Sequence, residues 1–360
     1  METLMIRTQT GSYPIFVGKG LLPRADELIK DVYSSSYIIT DSHVAPRYLN
    51  ELEKTLRNRQ VFHYIAEAGE QSKNLAEYNR IITDMLEKKL DRNTCVIALG
   101  GGVVGDLAGF VAATYLRGVA FLQMPTTLLA HDSSVGGKVG IDHALGKNLI
   151  GAFYPPAAVI YDTATLETLP FRELQSGFAE LIKHSLISSP DFYQELKKAI
   201  PERSMLTPDA VGSFLIRGIS VKAKIVELDE HESGPRKFLN FGHTLGHALE
   251  KELGFGTLTH GEGVAVGSLF ALKLSEAYYG HPLPVKELAE WYVRLGLPTK
   301  VPDGLTAEGL MEQMKYDKKN RDGHYHFVLM KSIGRPETRQ VPESLVRGTL
   351  FSFMNHMLTD

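Results

Sequence analysis

Thr94-Cys95-Val96-Ile97-Ala98-Leu99-Gly100-Gly101-Gly102-Val103-Val104-Gly105-Asp106 is the stretch on which the fold turns. Its first six residues, preceded by the turn Asp91-Arg92-Asn93, read as a buried strand. The glycines after them satisfy G-x-G-x-x-G, and a helical pattern follows to about Ala113. In that strand, turn, helix setting, residues without side chains let backbone N–H groups and a helix N-terminus approach a pyrophosphate. A plain tight turn would show the same glycine run. Two features depart from the usual dinucleotide pattern. The motif is not in the first β-α unit, and no acidic residue follows about twenty positions on to take a ribose. Asp41, at the carboxyl end of the strand expected over 36–40, is the natural substitute, because such sheets bind ligands at strand ends.

Working outward, the first half alternates short β-rich runs with amphipathic stretches. Strands are expected over 36–40, 61–65, 94–99, 119–124 and 159–162, with helices over 47–56, to about Leu90 and to about Ala113. This alternation argues an α/β domain with a largely parallel sheet. The segment 132–151, with Gly136, Gly137, Lys138, Gly146, Lys147 and Gly151, lacks hydrophobic periodicity. It reads either as a solvated loop or as a phosphate cradle with ammonium groups aimed inward. Around 165–170 the character changes, and helices are expected over 173–188, 191–200, 209–228, 242–253, 262–279, 285–295 and 307–314. The expected organisation is therefore an α/β Rossmann-like domain over residues 1–168 and a mostly α-helical domain over 169–360.

The helical half carries His243 and His247, four residues apart and so on one helix face, with His260 at the start of the next helical run. Glu180, embedded in apolar sequence, supplies a carboxylate. Imidazole nitrogens plus one carboxylate make a normal shell for a zinc-type divalent metal. A Thr follows the first histidine where a zinc protease has Glu, so that chemistry is not indicated. On spacing alone, two ordinary helix histidines remain the alternative.

Composition bounds the rest. The chain has 360 residues, enough for two cores, and a formal net charge of -3 that provides no basic field for nucleic acid. Any anionic ligand must be held by a local cluster. The single cysteine, Cys95, excludes an intrachain disulfide and reads as a small buried hydrophobe. The polar N-terminus does not resemble a signal peptide and no run has membrane-spanning character, so a cytoplasmic protein is expected.

Taken together, the ordered motifs Gly100–Asp106, Tyr115–Gly118, Pro125–Thr127, Asp132–Lys138, Gly146–Asn148, Glu180–Lys183, Lys222, Glu232, Arg236, Asn240–His247, His260–Glu262 and Asp317–Lys319 resemble the 3-dehydroquinate synthase family of sugar phosphate cyclases. The resemblance spans about Tyr37 to Met330. It implies an NAD-binding N-terminal domain and a helical domain carrying one zinc or cobalt ion. The implied metal ligands are Glu180, His243 and His260, which leaves His247 as the catalytic acid-base residue, with Lys138, Glu232 and Asp132 in the catalytic set. Substrate binding is implied for Arg117, Lys138, Lys147, Asn148, Lys183, Lys222, Arg236, Asn240 and a lysine of the pair Lys318 and Lys319. Arg117 matches an arginine that reaches across a dimer interface, so a homodimer is expected. Implied NAD contacts are Asp41, Glu70, Lys73, Gly102, Val103, Val104, Gly105, Asp106, Thr126, Thr127, Lys138, Lys147, Thr165, Leu166, Glu167 and Thr168.

The implied reaction belongs to the shikimate pathway of aromatic amino acid biosynthesis. A seven-carbon keto-acid phosphate is transiently oxidised by NAD, loses phosphate, is reduced again, and then opens and closes by an intramolecular aldol step. A carboxylate and a phosphate on one small substrate account for a lysine and arginine cluster in a net acidic chain. Three readings compete: a cyclase of the deoxy-inosose or valiolone type, a metal-dependent polyol dehydrogenase, and an NAD-binding module without catalysis. The dehydrogenase has no phosphate to bind and no need of the lysines between Lys138 and Lys183. The binding module has no need of a metal beside its cofactor.

Overall fold

A computed structural model describes residues 1–9, 11–29, 31–56, 59–254, 256–315 and 325–355. The chain divides into two compact units. The first comprises Met1–Leu169 with Leu215–Glu230, and the second comprises Pro170–Phe214 with the described residues of His231–Asp360.

The first unit is built on a seven-stranded sheet. Its strands are β1 (Glu2–Thr8), β2 (Gly11–Gly18), β3 (Ser35–Asp41), β4 (Gln60–Ala66), β5 (Thr94–Gly100), β6 (Ala120–Pro125) and β9 (Ala158–Asp162), in the order β1-β2-β9-β6-β5-β3-β4. A separate antiparallel hairpin pairs β7 (Lys138–His143) with β8 (Gly146–Phe153). Every pairing in the large sheet is parallel except β1 with β2, so the expected α/β class with a largely parallel sheet is what forms. β5 lies inside the sheet, and all seven of its residues are buried. Its alternation sends Cys95, Ile97 and Leu99 into one core with Ile38, Leu122 and Ile160. Val96 and Ala98 enter the other core with Tyr37, Ile39 and Phe121. A sheet covered on both faces needs apolar residues at every position, which is why this strand reads as a continuous hydrophobic run.

The chain leaves β3 to form β4 on one side, then returns to lay β5, β6 and β9 on the other. The order therefore reverses between β3 and β5. The crevice outside their carboxyl ends is where a doubly wound sheet binds ligands, and it is flanked by Asp41 and by the turn after Gly100.

Two features of this unit differ from expectation. The segment 132–151 is not a loop throughout, since β7 and β8 form the hairpin named above. Gly140 pairs with Gly151, and a Cβ on Gly140 would stand 2.5 Å from the Ile150 carbonyl oxygen. The glycines thus permit close strand approach while Val139 and Ile141 are buried in the core beneath the helix Gly102–Thr114. β7 buries only the side chains of Val139 and Ile141 and β8 buries none, too few to produce a periodic signal. The second difference is that Leu215–Glu230, expected in the helical domain, belongs to the first unit. Lys222 bonds Asp132, and the Glu227 and Glu230 carboxylates accept from the backbone N–H groups of Arg7 and Gln9. Helical periodicity marks a helix but not its partner.

The second unit is mainly helical, with helices Phe171–Ser188, Pro190–Ala199, His243–Leu253, His260–Tyr279, Val285–Leu295, Ala307–Lys315 and Glu343–Asn355. One antiparallel pair accompanies them, β10 (Tyr325–Ser332) with β11 (Arg335–Val341). The helix His260–Tyr279 is its spine, apolar nearly all round and buried along most of its length. Its start is set by a capping box in which Thr259 and Glu262 satisfy each other's backbone N–H groups. No described helix is long and apolar enough to cross a membrane.

Candidate active site

In the second unit, three helices place Glu180, His243 and His260 together. Glu180 lies on the buried helix Phe171–Ser188, while His243 and His260 are the first residues of their helices. Their donor atoms all lie within 4.8 Å of one another. The Glu180 Oε1 atom stands 3.4 Å from His243 Nε2 and 3.1 Å from His260 Nε2. For bonds of about 2.0–2.1 Å, a tetrahedral shell has ligand-to-ligand edges of roughly 3.3 Å. The measured separations fit such edges, so a zinc-type ion suits these donors.

Both imidazoles are held from behind. His243 Nδ1 lies 3.2 Å from the Phe241 carbonyl oxygen, and His260 Nδ1 lies 2.9 Å from Glu250 Oε1. Burial, reinforced by the Lys183 ammonium, pushes the His243 imidazole well below its ordinary value and keeps it neutral, the form that ligates metal. Burial acts the same way on His260, but its bonds to Glu180 and Glu250 outweigh it and lift the imidazole to about 10.

His247 is one turn beyond His243, with ring centroids 5.2 Å apart, and 5.9 Å from the His260 ring. It is exposed where His243 is buried, and it belongs to neither group of potential metal ligands among the described residues. Lys183 and Arg236 are buried cations of this unit. Lys183 Nζ pairs with Glu180 Oε2 at 2.5 Å. Glu232 adopts a left-handed backbone, φ +61°, and accepts a 2.6 Å hydrogen bond from Asn240 Nδ2. Lys318 and Lys319 lie outside the described residues.

In the first unit, the helix Gly102–Thr114 opens directly on the turn after β5, and its N-cap Gly101 supplies no side-chain bond to the first N–H groups. A Cβ on Gly101 would stand 2.9 Å from Thr127 Cγ2, and one on Gly102 would stand 3.1 Å from Ser133 Oγ. The bare backbone thus forms a cradle that side chains would fill, at a helix terminus that favours an anion. This fits a dinucleotide pyrophosphate, with Val103, Val104 and Gly105 in the first turn. Asp106 Oδ2 accepts from the buried Lys73 Nζ at 2.7 Å. Burial holds the Asp106 carboxyl above its usual range, against the pull of Lys73. Lys73 is held above its ordinary value in spite of burial, through Asp106 and Glu70. Glu70 also faces Lys147, at 3.7 Å.

The remaining expected residues of this unit are placed as follows. Asp41 Oδ1 accepts from the N–H groups of His43 and Val44 and so shapes the turn into the helix Ala45–Thr55. Thr126 N–H donates to the Gly100 carbonyl, tying β6 to the glycine turn. Thr165, Leu166, Glu167 and Thr168 lie in a 3-10 turn capped by Asp162, with Thr168 bonded to Tyr48 and Glu167 to Lys19. Lys138 begins β7 and is exposed. Asn148, at φ +53°, donates its N–H to Asp142. Lys222 Nζ bonds both the carboxylate and the carbonyl of Asp132. Arg117 is exposed, at φ +72°, immediately after Leu116 at φ +48°.

Two residues close to these groups were not singled out from sequence: Glu250, behind His260, and Asp142, behind Asn148. Glu250 carried one available signal, its position seven residues after His243 on the same helix face.

Known proteins share this architecture. The family described as 3-dehydroquinate synthase N-terminal matches residues 63–176, and 3-dehydroquinate synthase C-terminal matches 177–320. A 3-dehydroquinate synthase of Geobacillus thermodenitrificans (strain NG80-2) is 49% identical over 354 residues, covering 97% of each chain. Among solved structures, a 2-deoxy-scyllo-inosose synthase complexed with carbaglucose-6-phosphate, NAD+ and Co2+ superposes with a TM-score of 0.89 at 25% identity, covering 98% of this chain and 100% of the other. The 2-epi-5-epi-valiolone synthase of Streptomyces hygroscopicus subsp. jinggangensis 5008, with NAD+ and Zn2+ bound, gives a TM-score of 0.84 at 24% identity, covering 96% and 98%.

Proposed function

We propose that this chain, which belongs to the 3-dehydroquinate synthase family, is a lyase that converts 3-deoxy-D-arabino-heptulosonate 7-phosphate to 3-dehydroquinate and inorganic phosphate. The observation that carries the reading is the convergence of Glu180, His243 and His260, in a chain 49% identical over nearly its full length to a 3-dehydroquinate synthase. The much lower identity to the deoxy-inosose cyclase, 25%, weighs against that substrate.

When bound, NAD supplies a reversible hydride acceptor, and zinc or cobalt supplies a Lewis acid for adjacent hydroxyls. The chain's own residues then divide the remaining work. Glu180, His243 and His260 hold the ion. Gly102–Asp106 present a helix N-terminus to the pyrophosphate, with Asp41, Glu70, Lys73, Thr126, Thr127 and 165–168 around the cofactor. Lys138, Lys147, Asn148, Lys183, Lys222, Arg236, Asn240 and a lysine of the pair 318/319 bind substrate, whose phosphate and carboxylate suit cations and amide donors. His247 moves protons, being the exposed imidazole beside the metal ligands, and Glu232, fixed by Asn240, relays them. Asp132 is held in place by Lys222.

We also infer a cytoplasmic homodimer in which Arg117 serves a neighbouring subunit's site. Residues 1–168 are assigned to NAD, and 169–360 to metal and substrate, apart from the Lys222 segment noted above. The test is incubation with the seven-carbon keto-acid phosphate, with NMR identification of the product and a parallel phosphate assay. The expected result is 3-dehydroquinate and phosphate without accumulating NADH. Net NADH formation would select a dehydrogenase instead, and turnover of only a different sugar phosphate would select another cyclase.

A further inference from the structure

The helix His243–Leu253 carries three side chains on one face at positions i, i+4 and i+7: His243, His247 and Glu250. The first two have roles in the reading above, while Glu250 has none. Its carboxylate is buried, 7% exposed, and Oε1 lies 2.9 Å from His260 Nδ1. The opposite nitrogen of the same ring, Nε2, faces Glu180 Oε1 at 3.1 Å. His260 is thus clamped between two carboxylates, with Nε2 directed at the metal position and Nδ1 directed away from it.

The approach is built into the helix packing. A Cβ on Gly263, one turn after His260, would stand 3.4 Å from Glu250 Oε1, and one on Gly246 would stand 2.9 Å from the Gly263 carbonyl oxygen. The two glycines let the helices cross closely enough for a carboxylate on one to reach a ring on the other. His243 provides an internal comparison, because its Nδ1 faces the neutral carbonyl of Phe241, at 3.2 Å, rather than a carboxylate.

We propose that Glu250 is a positioning residue for the metal site: it accepts the Nδ1–H of His260 and fixes the tautomer and ring orientation with the Nε2 lone pair toward the ion. The proposal rests on Glu180, His243 and His260 being the metal ligands, and its test separates the two claims. Zinc and cobalt dissociation constants are measured by chelator competition on purified protein, beside the visible absorption spectrum of the cobalt form. Glu250→Ala is expected to weaken metal binding about 10- to 100-fold and to change the cobalt spectrum. Glu250→Gln, which keeps an acceptor for Nδ1–H, should recover most of the affinity. In a His260→Ala background, Glu250→Ala should cause no further loss, because its effect runs through that ring. If Glu250→Ala does not fold, Glu250→Asp replaces it, since a carboxylate drawn back by one methylene leaves Nδ1 out of reach. Wild-type affinity and spectrum in Glu250→Ala, with metal lost in His260→Ala, would overturn the role of Glu250 alone. Wild-type affinity in His260→Ala would overturn the ligand assignment itself. An equal loss from Glu250→Ala with and without His260 would show a general structural effect and also sink the proposal.

Discussion

Lys183 Nζ stands 2.5 Å from Glu180 Oε2, one turn along the same helix, and both side chains are sealed from solvent. The Glu180 carboxylate is therefore divided, with Oε2 given to the lysine and Oε1 facing the two imidazoles. A carboxylate shared this way offers one oxygen to an ion. It also remains compensated when no ion is bound.

From that division, Lys183→Met should destabilise the metal-free protein by about 3–5 kcal/mol, the usual cost of stranding one partner of a buried pair. The zinc-loaded protein should lose less, because the ion neutralises Glu180 in place of the ammonium. Thermal melts of both forms check this. Equal losses with and without zinc would mean that Lys183 does not balance the Glu180 charge.

His243 and His247 share a helix face but differ in burial, and their variants should fail differently. His243→Ala should purify with little metal and recover only in large metal excess. His247→Ala should keep near-stoichiometric metal and bind NAD while turnover falls roughly 10²- to 10⁴-fold. Metal content by mass spectrometry beside turnover decides it, and a metal-free His247→Ala with a metal-replete His243→Ala would exchange the two roles.

Arg117 projects from an exposed turn at positive φ, a costly backbone for a residue with no task. If it serves a neighbour's site, mixing Arg117→Ala with Lys138→Ala under subunit exchange should restore part of the activity that each lacks alone. No recovery in verified hybrid dimers would argue that Arg117 acts within its own subunit or not at all.

Asp84 accepts from the Tyr37 hydroxyl at 2.5 Å and pairs with Lys88. Burial alone would raise its carboxyl, but the bonds from Lys88 and Tyr37 prevail and hold it below the ordinary 3.8. A depressed folded value means that the unfolded chain takes up the proton first. The stabilisation is therefore present above the unfolded value and lost as pH falls through the folded one. Asp84→Asn should be less stable than the parent at pH 7, with the gap closing below about pH 4. Urea midpoints at both ends of that range provide the measurement, and a gap independent of pH would contradict the account.

What the sequence determined by itself was local and periodic. The apolar run before Gly100 read as a buried strand and the glycines after it as the entry to a helix, and both formed where they were expected. The pairing of His243 with His247 on one face follows from helix geometry, and the metal-site candidates Glu180 and His260 were legible as a carboxylate inside one apolar helix and an imidazole at the start of another. Tertiary structure decided what depends on meetings between distant elements. The hairpin β7–β8 was hidden because its register rests on Gly140 opposite Gly151 and only a few buried side chains. Leu215–Glu230 belongs to the first unit, with polar bonds of Lys222, Glu227 and Glu230 that leave no periodic trace. Glu250 reaches His260 because two helices cross at Gly246 and Gly263. Periodicity reports which face of an element is apolar. It does not report which carboxylate on another element will be within 3 Å of a given ring, since that distance is set by how the packed helices cross.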